Sequence, residues 1–229
     1  MPADRGGRAI IGAVRRNPST VVVLAGQPGE QVLAALDRSL NVVLVRPWPP
    51  PSATAARDVN GIEAAAVALR RAAGISAAYV LVAADPLSAV ASAWQAMWAV
   101  TAEPRGSDEF ELRAAEALAA WRGRQFELPD YYLVLADESV ADAAQPALPG
   151  AAEPGADFYL GPLRAVRPHR VAVAAGASAA AQADAQLTEL GSLRHGPWWP
   201  SLDEVLRTAR GFYPGMLAES AAGQASLLH

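Results

Sequence analysis

Three acidic residues that follow apolar runs are the first candidates for acid–base or metal chemistry. Asp85 ends one such run, and Asp137 and Glu138 end another. Carboxylates in these positions can act as general bases or bind a divalent metal ion, which makes all three candidate catalytic residues. Asp85 also precedes Pro86, an arrangement that helix capping alone favours, so a structural role for Asp85 is the competing interpretation.

Histidine is scarce in the chain, which contains only His169, His195 and His229. A site built from several histidines is therefore not expected, and we assign His169 to the candidate catalytic group. Its place between two segments that are predicted to be extended also suits a polar turn residue. No G-x-S-x-G sequence is present, so acyl transfer by a serine nucleophile is not predicted.

Lysine and cysteine are both absent, and their absence excludes several kinds of chemistry. Without lysine the chain can form no Schiff base and no Walker-type phosphate loop. Without cysteine it has no thiol nucleophile, disulfide, iron–sulfur cluster or cysteine zinc site, and we expect no haem. The identity of any cofactor stays open, and the acidic residues are compatible with a divalent metal ion.

Two glycine-containing loops, with the sequences GQPG and GAS, each follow a predicted strand and precede a predicted helix. Free amide groups at helix starts can hold a small anionic group. The candidate ligand-binding residues are therefore Gly26, Gln27, Gly29, Gly176 and Ser178. Neither loop is a dinucleotide fingerprint or a Walker loop, and a tight turn or an ordinary helix cap explains both as well.

Three tryptophans lie beside prolines in predicted loops, namely Trp48, Trp198 and Trp199. Exposed tryptophans are frequent in binding hot spots, so these three are candidate interaction residues. Buried tryptophans would instead anchor the loops to the core, and this second interpretation is favoured for most of the aromatic loops.

Hydrophobic runs and helical spacings alternate along the first 136 residues, and this alternation predicts the fold. Extended segments are expected at 20–25, 41–45, 77–84, 130–136, 158–166 and 170–175. Helices are expected between most of them, from 30, 61, 85, 107, 179 and 201 onward. The pattern predicts a doubly wound, mostly parallel sheet of Rossmann/flavodoxin-like type, with three layers and helices on both faces.

The chain of 229 residues is predicted to hold one α/β domain over residues 19–217. Residues 1–18 are expected to form an N-terminal arm, and residues 218–229 a disordered tail. Within the domain, residues 19–136 hold the core βαβ units, and residues 158–217 hold further strands and helices. No secretory signal or membrane span is recognised, so the expected location is the cytoplasm.

A net charge of −4 and a pI near 5.4 argue against binding to nucleic acid. The missing catalytic signatures favour a non-catalytic or accessory protein that recognises a partner protein or small ligand through its strand-end and aromatic loops. A protein partner or self-association is expected, a small anionic ligand is compatible, and membrane binding is not expected. The alternative is a nucleotide- or phosphate-handling transferase or hydrolase with an acidic site that is compatible with a divalent metal ion.

Overall fold

Five parallel strands form the centre of the protein in a computed structural model that describes residues 19–26, 28–47, 60–98, 105–136 and 155–212. The strands lie in the order β2-β3-β1-β4-β5. Their bounds are β1 (Thr20–Ala25), β2 (Val42–Val45), β3 (Tyr79–Val82), β4 (Tyr131–Ala136) and β5 (Val171–Ala175). The runs of β-branched and aromatic residues in these strands suit a sheet that is buried on both faces.

Helices connect or follow the strands, and their bounds agree with most of the predicted ones. They are α1 (Glu30–Leu36), α2 (Asn60–Ala73), α3 (Ser88–Met97), α4 (Arg105–Arg122), α5 (residues 156–166), α6 (Ala179–Ser192) and α7 (Leu202–Gly211). No helix in the described ranges has the length and apolar content needed to cross a bilayer.

Two hydrophobic cores lie on opposite faces of the sheet, as the alternating side chains of β1 require. Val21 and Val23 belong to one core, which α2, α3, α4, α5 and α7 cover. Val22 and Leu24 belong to the other, which α1 and α6 cover. This arrangement confirms the predicted three-layer α/β fold with a parallel sheet.

The strand order places β1 at the centre and makes its carboxyl end the point where the chain changes direction. After β1 the chain crosses one face to reach β2, and after β3 it crosses the other face to reach β4. Ligands of such sheets bind outside the carboxyl ends of the strands at this switch point. The order itself is neither the 2-1-3-4-5 of flavodoxin nor the 3-2-1-4-5-6 of dinucleotide-binding domains.

The prediction of an extended segment at 158–166 is wrong, because these residues belong to α5. The helix is α-helical at Ala156–Phe158, π-helical at Tyr159–Leu163 and α-helical again at Arg164–Val166. Pro162 lies inside the π-helical part and has no amide hydrogen to donate to the preceding turn. Packing of the buried Phe158 and Leu163 against the core outweighs the strand preference of the aromatic residues.

The last third of the chain extends the same sheet rather than forming a separate unit. β5 pairs with β4 from Tyr132 opposite Val171 to Ala136 opposite Ala175, and α5 and α7 cover the core beside it. Only one of the two predicted extended segments in this region is therefore a strand. The predicted arm (1–18) and tail (218–229) lie outside the described residues.

Candidate functional site

Asp85 lies at the carboxyl end of the sheet, three residues beyond β3, where the predicted ligand crevice would be. It does not cap α3 directly, because that helix begins at Ser88 and Leu87 occupies the capping position. Instead the Leu87 amide donates to Asp85 Oδ1 at 2.8 Å, and the Tyr159 hydroxyl donates to Oδ2. The carboxylate therefore joins the loop after β3 to α5.

Two buried tyrosines surround this carboxylate, and together the three residues form the Asp85 cluster: Asp85, Tyr132 and Tyr159. Tyr132 lies on β4, and its ring centroid is 5.4 Å from that of Tyr159. Both tyrosines are almost fully buried. The Tyr132 hydroxyl makes no well-formed hydrogen bond with the described residues.

Burial sets the ionisation of the Asp85 cluster. Loss of solvent raises the pKa of Asp85 from 3.8 to about 6, although hydrogen bonds from Tyr159 and Leu87 and the nearby Tyr132 hydroxyl oppose this shift. Burial also raises the pKa of each tyrosine well above 10, and the nearby negative charge of Asp85 adds to the rise. A carboxyl group whose pKa is near 6 can gain or lose a proton near neutral pH.

The other acidic candidates, Asp137 and Glu138, lie outside the described residues. Among the residues that are described, no three His, Cys, Asp or Glu side chains are placed to hold a metal ion. A metal site formed by Asp85 with Asp137 or Glu138 therefore stays a prediction.

The loop after β1 holds Gly26 and Gly29, whereas Gln27 lies outside the described residues. Gly26 has a φ of 95°, which a residue with a side chain rarely adopts, and a Cβ there would lie 3.3 Å from the Leu135 carbonyl oxygen. Gly29 precedes α1, whose first residue, Glu30, forms an ion pair of 2.5 Å with Arg46. A carboxylate at this position disfavours an anion at the start of α1.

The loop after β5 holds the other two ligand candidates, Gly176 and Ser178. The Ser178 hydroxyl accepts a hydrogen bond from the Ala181 amide at 3.2 Å, so this serine caps α6. A Cβ on Gly176 would lie 2.6 Å from the Gln182 amide nitrogen. Close packing against α6 and helix capping therefore account for both residues, as the competing interpretation predicted.

His169 and Asp85 lie at opposite ends of the sheet, so the structure does not bring these two candidate catalytic residues together. His169 lies in a 3₁₀ turn (Pro168–Arg170) directly before β5, whereas Asp85 follows β3. Since the strands are parallel, the start of one and the end of another lie at opposite edges. The His169 ring nitrogen Nε2 lies 3.0 Å from the Pro197 carbonyl oxygen.

The adjacent tryptophans Trp198 and Trp199 have opposite environments. Trp199 is buried, its Nε1 donates to the Pro129 carbonyl at 2.7 Å, and its ring packs edge-on against Tyr132. Its assignment to an interaction surface is therefore corrected, because the core encloses the indole. Trp198 is 44% exposed, and Trp48 lies outside the described residues.

Arg170 holds the loop that carries Trp198 against the sheet. Its guanidinium is buried and donates to the carbonyl oxygens of Pro197, Gly196 and Asp130 at 3.1, 2.8 and 2.9 Å. The same group contacts the Trp198 ring, with 4.7 Å from the guanidinium carbon to the ring centroid. It also lies 5.1 Å from the ring centroid of Tyr131. These contacts fix the position of the exposed indole.

Basic residues lie on the two segments that meet at this loop, 167–170 and 194–198, and we name the set the Trp198 surface: Arg167, His169, Arg194, His195 and Trp198. Arg167 Nε donates to the Trp198 carbonyl at 2.8 Å, and the Tyr131 hydroxyl donates to the Arg194 carbonyl at 3.0 Å. Neither arginine has an ion pair within the described part of the chain. The sequence analysis did not predict this surface, although a grouping of basic residues without acids at 164–170 and 194–198 is a signal by which it can be found.

In comparisons with known proteins, no family model, curated protein or solved structure matches the chain.

Proposed function

We propose that this protein is a non-catalytic recognition protein that binds a partner protein through the Trp198 surface. The observation that carries the proposal is the exposed Trp198 indole, which Arg170 holds in place by stacking and by hydrogen bonds to the same loop. Tryptophan and arginine are the residues most enriched in binding hot spots.

The rigidity of this loop supports a binding role. Buried side chains and hydrogen bonds already order the loop, so a partner would lose little conformational freedom in ordering it on binding. Trp199 is buried and already anchors the loop to the core. Anchoring the loop therefore does not explain why Trp198 is exposed.

The carboxyl end of the sheet gives weaker support for a binding role. There the Asp85 carboxylate accepts bonds from Leu87 and Tyr159, and the Ser178 hydroxyl caps a helix. These groups are engaged in contacts within the fold, whereas Arg167 and Arg194 of the Trp198 surface have no acidic partner among the described residues.

Affinity capture from extract of the source cells tests the proposal, with wild type, Trp198→Ala and Leu112→Ala compared by quantitative mass spectrometry. Leu112 is a matched control, because its side chain is 51% exposed on α4. We expect proteins, or further copies of this chain, that wild type and Leu112→Ala retain and Trp198→Ala loses. Equal retention by all three variants, or a strictly monomeric protein with no retained partner, would overturn the proposal.

A phosphate- or nucleotide-handling enzyme is the second candidate, and the position of Asp85 supports it. The residue lies beside the carboxyl end of β1, and burial raises its pKa to about 6. A thermal-shift screen with nucleotides, sugar phosphates and divalent metal ions tests this candidate. A ligand that stabilises wild type but not Asp85→Asn would support the enzyme, and no shift with any compound would exclude it as stated.

A further inference from the structure

Resting on the proposed function, we infer that the Trp198 surface binds a short acidic segment of the partner protein. The segment would place carboxylates beside Arg194 and Arg167 and an apolar side chain on the exposed indole of Trp198. Three features support this inference: the charge of the surface, the arginine hydrogen-bond donors that the fold does not use, and the small size of the surface.

The charge of the surface is opposite to that of the whole protein. The chain has a net charge of −4, yet the Trp198 surface includes two arginines, Arg167 and Arg194, and no acidic residue. Two acidic groups near this end of the fold are engaged elsewhere. Asp130 accepts a hydrogen bond from the Val21 amide at 2.7 Å, and Glu189 accepts one from the Ser192 hydroxyl at 3.1 Å. Carboxylates from another molecule would complement this local charge.

The arginines retain donors that the fold does not use. Arg167 uses Nε and Nη1 on the carbonyls of Trp198 and Val166, and its Nη2 makes no hydrogen bond within the described residues. The Arg194 guanidinium is exposed and makes none in the same part of the chain, while its backbone carbonyl is held by Tyr131. Because its backbone is held in place, the free Arg194 guanidinium is suited to bidentate binding of a carboxylate.

The size of the surface favours a peptide over a nucleic acid. Nucleic-acid sites neutralise several phosphates along a basic stripe, typically about 6–10 of them. The Trp198 surface offers two arginines around one tryptophan on an acidic protein. A few carboxylates and one apolar contact match this number of groups.

The absence of lysine allows a direct test by zero-length crosslinking. Arg194→Lys introduces the only lysine in the chain, and Arg38→Lys introduces one on an exposed site of the α1 region as a matched control. Each variant is mixed with an N-acetylated dodecapeptide of alternating glutamate and leucine. Carbodiimide then joins lysine amines to carboxylates in contact with them.

We expect about fivefold more crosslinked product from Arg194→Lys than from Arg38→Lys, and adding Trp198→Ala should remove the excess. Equal yields from the two lysine variants, or an excess that survives Trp198→Ala, would overturn the inference. Tighter binding of wild type to single-stranded RNA or to phosphatidylglycerol vesicles than to the peptide would also overturn it.

A glutamine counterpart of the peptide separates the inference from the proposed function. If fluorescence anisotropy shows equal, Trp198-dependent binding of both peptides, partner recognition stands and the acidic preference fails. If neither peptide binds, the acidic preference fails as well, and the capture experiment with Trp198→Ala decides the proposed function independently.

Discussion

The Tyr159 hydroxyl donates a hydrogen bond to the Asp85 carboxylate, although 74 residues separate the two in the chain. The bond connects the π-helical part of α5 to the loop after β3, at the carboxyl end of the sheet. Because the carboxylate is removed from solvent, its pKa rises to about 6, and the cluster links the stability of the fold to pH.

Asp85→Asn should remove this pH dependence. The folded protein holds the Asp85 proton up to about pH 6, whereas the unfolded chain loses it near the usual pKa of 3.8. The stability that this proton provides is complete below pH 3.8 and is lost as the pH rises to about 6. The loss is up to about 3 kcal/mol, at about 1.4 kcal/mol per pKa unit.

Urea unfolding at several pH values between 4 and 7 measures this effect. As the pH rises from 4 to 7, the free energy of unfolding of wild type should fall relative to that of Asp85→Asn. The exposed Asp184→Asn control should show the same pH dependence as wild type. Parallel curves for wild type and Asp85→Asn would contradict the assigned role of burial.

The adjacent tryptophans should differ strongly in their effect on stability. Trp199→Ala removes a buried ring and its hydrogen bond to Pro129, which should cost about 3–5 kcal/mol. Trp198→Ala removes mainly the stacking with Arg170 and should cost about 1 kcal/mol or less. Chemical denaturation of both variants checks the difference, and similar losses would mean that Trp198 is also a structural anchor.

Two glycines from the predicted ligand loops should respond oppositely to alanine. Gly176→Ala would place a Cβ against the backbone of α6 and should destabilise the protein by about 2 kcal/mol. Gly29→Ala meets no atom within 4 Å, so its cost should be about 0.5 kcal/mol or less. Thermal unfolding compares the two, and a large loss for Gly29→Ala would point to a further contact at that loop.

Arg170→Lys should weaken both stability and partner binding. A lysine keeps the charge but cannot reach three carbonyl groups in the same planar geometry, so we expect a loss of about 2–3 kcal/mol. Since the Trp198 loop would loosen, partner capture should fall even though Trp198 is present. Arg38→Lys serves as the control, and unchanged capture by Arg170→Lys would argue against preorganisation.

Local signals in the sequence were sufficient for most elements of the fold. The apolar runs that became β1, β3 and β4 predicted strands, and their alternation with helices predicted the parallel sheet. Helix capping was the competing explanation for Ser178, and its hydroxyl accepts a hydrogen bond from the amide three residues later. These features depend on neighbours a few residues apart, which the sequence displays directly.

Features that depend on contacts between residues far apart in the chain could not be predicted from local sequence patterns. The segment around Tyr159 has strand-forming residues, but packing on the core makes it helical. Whether His169 lies near Asp85 could not be predicted, because the edge on which a residue lies depends on which strand end it joins.

By itself, the sequence determined the class of fold, the position of most strands and helices, and the chemistry that a chain without lysine or cysteine excludes. Only the tertiary structure decided that Trp199 is buried while Trp198 is exposed, and that Arg170 joins their loop to the sheet. The physical reason is that burial and charge pairing depend on residues brought together by strand order, and strand order is not encoded in local spacing.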